Sequence, residues 1–560
     1  MTAPEPRPRL RPGVAVTPLR AGLHLRGRGT SLTLEGSRAL PALWRLLAAG
    51  PATGPGEGQE PAPGPADPQT PPAVAAALAT LTARLREHDL LVDAPAGAGV
   101  LPWPGSAAAR PQEAAAALAA ARPLVTAADP DGPLARAVVR ALARGGAAPT
   151  AVPDTALPAG RVLLVAGDPA VALAVQCDAD GGFVTAPAGP ARTRADAEAL
   201  AARLREGADP AASGASPPPT LPALLAAAAA HRLLCAVAGL TDPGDPAEDP
   251  RLLATRPAVL VADARPPRAE HHPWAAAPGP RAAPPADLAE ALRRIAALGD
   301  PRLGLLDRPT PGDLPQLPVA LVSCRTPAGL LVAGAVRTDL ARLAAACRAV
   351  ELHLAAVDPA APVVGADRGD ALGRALRRAC LADPAGGPAV PDAAWRHHPQ
   401  AAHWCAALTR ALGRPPELTV RQLEDSGAFL AEIDDAAAAV PDRAVEATPA
   451  DAVTVAALAA LTRRSAAGLR LPAARHTTLT GSAAALATAG PAPAPWTDEG
   501  WTDRWLTGLA TREERLQTDL RQLTGLRAVE WRPATPAAQP WADALHGCGL
   551  TALVTTGGRT

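Results

Sequence analysis

The chain has 560 residues, with 54 basic and 54 acidic side chains and no net formal charge. That length holds about three domains, and the charge balance gives no bulk electrostatic reason to expect nucleic-acid binding. Lys, Asn and Tyr are absent, and Ala, Arg, Pro and Gly fill the space; we read this as GC-rich coding, not as the mark of a special fold.

Charge is uneven at the start. Residues 1–45 carry Arg7, Arg9, Arg11, Arg20, Arg26, Arg28, Arg38 and Arg45 against Glu5 and Glu35, so this end can attract an acidic peptide. Residues 12–35 show three short alternating runs, Val14 and Val16, Leu23 and Leu25, Leu32 and Leu34, separated by Pro18 to Gly22 and by Gly27-Arg28-Gly29. The pattern predicts a three-stranded antiparallel meander with one apolar face. A helix follows, with Ser37 as cap, Pro41 in its first turn and Leu40, Leu43, Trp44 and Leu47 in one stripe. Gly50 to Pro72 has no periodicity and reads as a mobile loop. A second helix, Pro72 to His88, puts Leu78, Leu81 and Leu85 in register, and Leu90-Leu91-Val92 closes the unit.

Residues 120–275 alternate strand and helix. Arg161–Ala166 and Ala258–Asp263 read as strands, Leu221–Val237 as a long helix and Gly167-Asp168-Pro169 as a turn. This is the rhythm of a doubly wound sheet. Leu124-Val125-Thr126-Ala127-Ala128-Asp129 leads to no GxGxxG, and without glycines the backbone cannot approach a phosphate closely. Further on, Leu298–Leu306 and Leu317-Pro318-Val319-Ala320 precede two amphipathic helices, Asp339–Ala355 and Asp370–Leu381, joined by Val357–Asp367. Gly525 to Glu530 reads as a strand.

The cysteines are Cys177, Cys235, Cys324, Cys347, Cys380, Cys405 and Cys548, with no CxxC pair. Their odd number and wide spacing fit reduced cytosolic thiols and give no zinc site or disulfide framework. The N-terminus has no apolar signal core, and Pro, Arg or Asp interrupts every apolar run of membrane-spanning length. The expected location is cytoplasmic.

Several clusters invite chemistry. His397, His398, His403 and Cys405 could ligate a transition metal, but the run His397-His398-Pro399 reads equally as a surface turn, and His271-His272-Pro273-Trp274 as a strand end. Ser426-Gly427 beside Asp425 lacks the GxSxG elbow. Cys548 after His546 could be a nucleophile, or simply part of a Gly-rich turn. Arg348, Arg377 and Arg378 could bind phosphate or an acidic peptide; solvated helix faces or interdomain salt bridges explain them as well.

The N-terminal strands and helices resemble the RiPP recognition element, a winged-helix relative that holds the leader of a ribosomally made precursor peptide. The resemblance implies that the leader adds as a fourth strand beside the third strand and against a helix. The groove would then be lined by Leu32, Thr33, Leu34 and Glu35 on the strand, with Leu81, Arg84, Leu85 and His88 on or near the helix. The physical basis is β-augmentation: an edge strand offers unpaired backbone groups, and neighbouring pockets read alternate side chains. The Pro/Gly insertion stands where the family has another helix. An ordinary DNA-binding winged helix, or a small domain that only packs on its neighbours, are the competing readings.

The middle region resembles the degenerate branch of the ThiF-like adenylating fold, without its CxxC pairs. Residues from Leu298 onward resemble the YcaO family, which uses ATP to cyclise or thioamidate peptide backbones. That family carries two glutamates on the first helix and a Glu and a Gln on the second, which hold magnesium and nucleotide. Here the first helix reads Arg348-Ala349-Val350-Glu351, so one glutamate position is Arg; on the second, Arg378 and Leu381 stand at the Glu and Gln positions. One carboxylate among arginines cannot hold magnesium and phosphate.

The expectation is an α/β multidomain protein. Residues 1–95 form a winged-helix-like α+β peptide clamp, 96–285 a ThiF-like α/β domain and 286–560 a YcaO-like α+β domain. Its expected role is that of a non-catalytic leader-binding partner of a YcaO cyclodehydratase, in the making of a thiazole/oxazole-modified, thiopeptide-like product. The expected partners are the precursor leader peptide and the YcaO protein, with no nucleic acid and no membrane. No cofactor, metal or catalytic residue is expected. The alternatives are an active ATP-dependent cyclodehydratase and a winged-helix regulator of the same pathway.

Overall fold

The computed structural model describes residues 7–27, 30–36, 39–48, 71–94, 102–206, 217–247, 249–383, 386–424, 426–435, 440–469, 475–490 and 500–557. Contacts divide the chain into two compact units. One is Met1–Ala199, Ala208–Pro243 and Leu260–Glu270; the other is Leu200–Gly207, Gly244–Val259 and His271–Thr560.

The first unit begins with β1 (Arg7–Leu10), β2 (Ala15–Leu19), β3 (Gly22–Gly27), β4 (Thr30–Glu35), α1 (Leu40–Ala48), α2 (Pro72–Glu87) and β5 (Leu91–Ala94). The expected meander is present: β2, β3 and β4 form an antiparallel sheet in that order, with Leu23 opposite Leu34 and Leu25 opposite Leu32. Its apolar face buries Leu23 and Leu25 against Leu81, Leu85 and Leu90, with Leu32, Leu34, Leu40, Leu43 and Trp44 packed around them. The proposed Ser37 cap, the side chain of Leu47 and nearly all of the Gly50–Pro72 loop lie outside the described residues. A second small sheet pairs β1 with β5. No alternation announces it, because Arg7-Pro8-Arg9-Leu10 has only one apolar aliphatic side chain. Arg11 fastens this sheet: its buried guanidinium donates to the Asp89 carbonyl at 2.8 Å and to the Gly105 carbonyl at 3.2 Å.

The same unit continues with α3 (Pro102–Ala107), α4 (Pro111–Ala120), β6 (Leu124–Ala127), α5 (Pro133–Arg144), β7 (Thr150–Pro153), β8 (Arg161–Ala166), β9 (Val171–Cys177) and β10 (Gly181–Val184). Next come α6 (Pro190–Glu206), α7 (Thr220–Val237), β11 (Ala258–Ala264) and β12 (Pro267–Pro273), of which residues 200–206, 258–259 and 271–273 are assigned to the second unit. The seven strands order as β12-β11-β10-β9-β8-β6-β7. Here the doubly wound expectation needs correction. The pair β6–β7 is parallel, across α5, whereas β6–β8, β8–β9, β9–β10 and β10–β11 are antiparallel. For β8–β9 and β9–β10 the reason is the connections: tight turns join these strands, and a parallel pair needs a crossover longer than that. Gly167 supplies the left-handed φ of +84° at the first of these turns. Helix α7 is long and apolar enough to cross a membrane by length and composition. Its Leu225, Ala229 and Leu233 are buried beside Val138, Leu142, Leu173 and Val175, and its Arg232 is paired with Asp242 at 2.8 Å.

The second unit carries α8 (Leu288–Leu298), β13 (Ala320–Thr326), β14 (Gly329–Ala335), α9 (Thr338–Val357), β15 (Val363–Gly365), α10 (Arg368–Ala382) and α11 (Pro399–Leu412). It goes on with β16 (Glu417–Gln422), β17 (Phe429–Asp434), β18 (Asp442–Glu446), α12 (Pro449–Ser465), β19 (His476–Thr478) and α13 (Ala484–Ala489). The last elements are α14 (Trp501–Thr524), β20 (Arg527–Glu530), α15 (Gln539–Cys548) and β21 (Thr551–Thr556). Three three-stranded sheets result: β13-β14-β19, β15-β21-β20 and β16-β17-β18. The predicted helices over 339–355 and 370–381 are α9 and α10, and the predicted strand near 525–530 is β20. One core joins α9 and α12, through Leu340, Leu343, Val350, Val453 and Leu458. A smaller one sets Leu372 and Leu376 of α10 against Leu516 and Leu520 of α14.

A reciprocal cap fixes where α10 starts. Asp367 accepts from the Asp370 amide at 2.7 Å, and Asp370 accepts from the Ala366 amide at 3.0 Å. Two donors without helical partners are thereby satisfied, and the register of every arginine along α10 is set.

Candidate functional site

Helices α9 and α10 face each other across a layer of buried charge. Arg374 and Arg378 are one turn apart on α10 and so share a face. Both meet Glu351 of α9, Arg374 at 3.1 Å. Arg348, three residues before Glu351 on the same helix, adds a third bond at 2.8 Å, and the Val364 amide a fourth at 3.1 Å. Burial alone would raise the Glu351 pKa, but the charges of Arg374, Arg378 and Arg348 outweigh it and bring it down to about 2.

Arg377 points away from that face, toward β18 and α14. Its Nε and Nη2 reach the two oxygens of Glu446 at 3.1 and 2.7 Å. Nη1 and Nη2 reach those of Glu513 at 2.8 and 2.7 Å. The carbonyls of Val445 and Gly373 lie at 3.2 and 3.3 Å. Six oxygens thus surround one guanidinium, and all three side chains are buried. Gly481 donates its amide to Glu446 at 3.0 Å, and Gln517 donates to Glu513 at 2.9 Å. Gly373 has to be glycine here: a Cβ would come within 2.5 Å of the Glu513 carboxylate and 2.6 Å of Ser482.

Burial raises the pKa of Glu446 against the pull of Arg377, whereas for Glu513 the arginine wins over burial and lowers it. Burial also raises that of Asp370, which holds the Ser482 hydroxyl at 2.7 Å. Carboxylates do gather here, more of them than sequence reading finds, since Asp370, Glu446 and Glu513 join Glu351. Glu446 and Glu513 lie 69 and 136 positions from Arg377, a separation that leaves no local pattern to read. As they stand, these residues do not fit a magnesium–nucleotide site. Magnesium needs oxygens free to form an octahedral shell, and here a guanidinium holds them. Among the described residues no group of three or more His, Cys, Asp or Glu is arranged to hold a metal ion.

The other sequence candidates separate cleanly. On β4, Leu32 and Leu34 are half-buried while Thr33 and Glu35 are exposed. Among the described residues, strand β4 pairs with β3 on one side and forms the sheet edge on the other. The Gly36 amide bonds the Ala21 carbonyl at 3.2 Å. Counting back in twos along an antiparallel ladder, Leu34 and Leu32 face β3, which leaves the backbone groups of Ser31, Thr33 and Glu35 toward the free edge. On α2, Leu81 and Leu85 are core residues, 5% and 0% exposed, so they support Leu32 and Leu34 from beneath and do not line a groove surface. Arg84 is exposed and paired with Glu87, and His88 is half-buried.

Cys548 is fully buried, its thiol pushed up to about 12 by that burial, which excludes it as a nucleophile. His403 stacks edge-on to Trp404 and Trp501, His272 pairs with Asp300 at 2.9 Å, and Ser426 donates to the Leu423 carbonyl. Asp425 lies outside the described residues.

No protein-family model matches this chain, and no curated protein matches it by sequence. Solved structures do. A heterocyclase in complex with substrate and cofactor superposes with a TM-score of 0.53 at 13% identity, over 98% of this chain and 94% of that one. The heterocyclase TruD matches with a TM-score of 0.42 at 13% identity, over 99% and 95%. The first of these likenesses places the chain in a heterocyclase-type fold along nearly its whole length.

Two outcomes follow from the charge layer. Arg377→Ala leaves two buried acids without their cation and should cost about 3–5 kcal/mol in urea unfolding. Millimolar calcium should restore part of the lost Tm in that variant and leave the parent unmoved, because the six-oxygen cage becomes available. Glu351 has a folded pKa below its ordinary value of 4.5. Its contribution is therefore complete above pH 4.5 and fades as pH falls through about 2. Glu351→Gln should lose about 3 kcal/mol at pH 7, and its gap from the parent should narrow toward pH 2.5. A gap that stays constant with pH would argue against the ion cluster as its source.

Proposed function

We propose that the chain is a non-catalytic partner of a YcaO cyclodehydratase, which holds the leader of a ribosomal precursor peptide while another protein forms azolines on its core. The observation that carries this reading is Arg377. Buried between Glu446 and Glu513, its guanidinium holds the carboxylate oxygens gathered there, so that none is open to a metal ion. The heterocyclase-type fold supports the pathway context, and β4 supplies a place for the peptide. Its free edge offers the backbone groups of Ser31, Thr33 and Glu35, and the half-buried Leu32 and Leu34 offer apolar contact to alternate residues of an added strand. Arg84 stands on the exposed side of α2, and the half-buried His88 caps its end. Holding the leader raises the local concentration of core Cys, Ser or Thr at the partner's catalytic centre.

Thr33→Pro tests this directly. It deletes one outward-facing N–H and spares the backbone bonds to β3, as proline on an edge strand can; the Thr33 hydroxyl, which meets His24 Nδ1 at 2.8 Å, goes with it, so Thr33→Val, which keeps the N–H, serves as the control. In fluorescence anisotropy, the parent should bind the leader peptide encoded beside it with submicromolar affinity, and Thr33→Pro should weaken binding roughly tenfold, the worth of about one lost ladder bond. The purified chain alone should not turn over ATP. Leader binding that survives Thr33→Pro moves the peptide elsewhere; ATP turnover by the isolated chain returns it to the enzymes.

A further inference from the structure

Beside the charge layer lies a cleft of about 450 Å³ between α10, β18, α12 and β19, within the size range of small-molecule sites. Its wall carries Arg374, Arg377, Arg378, Arg443 and Arg463 against two acids, Asp442 and Glu446. Both acids are already bound, Asp442 by Arg463 at 3.0 Å and Glu446 by Arg377. The remaining counter-charges sit behind the wall: the side chains of Glu351, Glu432, Asp435 and Glu513 are 2%, 14%, 6% and 9% exposed, and Glu432 meets Arg443 through Nε, at 2.7 Å. Arg378 and Arg443, by contrast, are 47% and 31% exposed. The network is close to neutral as a whole, yet its positive ends face the opening and its negative ends face the core. A charge near the opening feels the nearer layer more strongly.

We propose that this cleft binds the phosphate or pyrophosphate group of a small molecule directly on arginine, without a divalent metal. Arg378 and Arg443 make the principal contacts. A guanidinium presents several N–H groups in a fixed fork that matches an oxyanion, and Arg378 commits only Nη2 to Glu351 among the described residues. Thr477 on β19 adds a hydroxyl to the same wall. Val440 and Pro441 at the cleft offer apolar surface to the rest of the molecule; Val440 is 56% exposed. The proposal stands independently of the leader site on β4.

The test is calorimetric titration of the full chain with sodium pyrophosphate, in EDTA and then in magnesium. Binding is expected in EDTA and should weaken as salt rises. Arg378→Ala and Arg443→Ala should each weaken it roughly tenfold or more. Arg515→Ala, an exposed charge on α14 outside the cleft, should leave it unchanged, with thermal melts confirming that each variant is folded. No heat in EDTA from the folded parent overturns the proposal, and so does equal weakening in Arg515→Ala, which marks unspecific attraction. Binding that appears only with magnesium gives the cleft to a metal–anion complex and overturns it too. Tighter binding of a carboxylate-rich peptide than of pyrophosphate reassigns the cleft to that class.

Discussion

Burying a guanidinium is costly unless oxygens surround it, and the second unit is organised around that requirement. Arg377 lies between Glu446 of β18 and Glu513 of α14, so three elements distant in sequence meet at one charge. Desolvating an ion costs several kcal/mol unless geometry returns it; six oxygens around the cation meet that condition. Glu351 and its three arginines apply the same rule with the signs exchanged. Across the layer, Arg348, Arg374, Arg377 and Arg378 face Glu351, Asp370, Glu446 and Glu513, four against four.

The local structure serves this layer. The reciprocal cap of Asp367 and Asp370 sets the start of α10, and from there helical spacing alone sends Arg374 and Arg378 to α9 and Arg377 to the other side. Gly373 lets α14 approach closely enough for Glu513 to reach in. The apolar packing of Leu372 and Leu376 against Leu516 and Leu520 holds the same two helices together. Packing and charge thus constrain the same interface.

Much of the local structure was readable from the sequence. Alternation at Leu23, Leu25, Leu32 and Leu34 marks the meander, and the stripes over 339–355 and 370–381 mark α9 and α10, because a helix or strand writes its buried face at a fixed period. Sheet order was not readable. The strands at 161–166 and 258–263 look alike whether their neighbours are parallel or antiparallel; the short turns at Gly167 and after Cys177 decide it for the first, but the second follows a long helical connection and still pairs antiparallel. The burial of Leu81 and Leu85 was implied by their own stripe; placing them on a groove surface required the helix to face outward, which the core does not allow. At the charge layer, Arg348 and Arg378 were visible as departures from the pattern of the family the sequence resembles, but Arg374 and the distant acids were not. Glu446 and Glu513 carry no motif, and only the fold brings them to α10.

The buried cage also bears on how such a chain can change over generations. Replacing Arg377 alone leaves two buried acids facing each other, and replacing either acid alone leaves a cation short of its charge. Each single step passes through a less stable protein, and residues in one network do not contribute independently. The cage therefore acts as a ratchet: with the guanidinium settled among the oxygens, point substitution has no downhill path to an open acidic pocket.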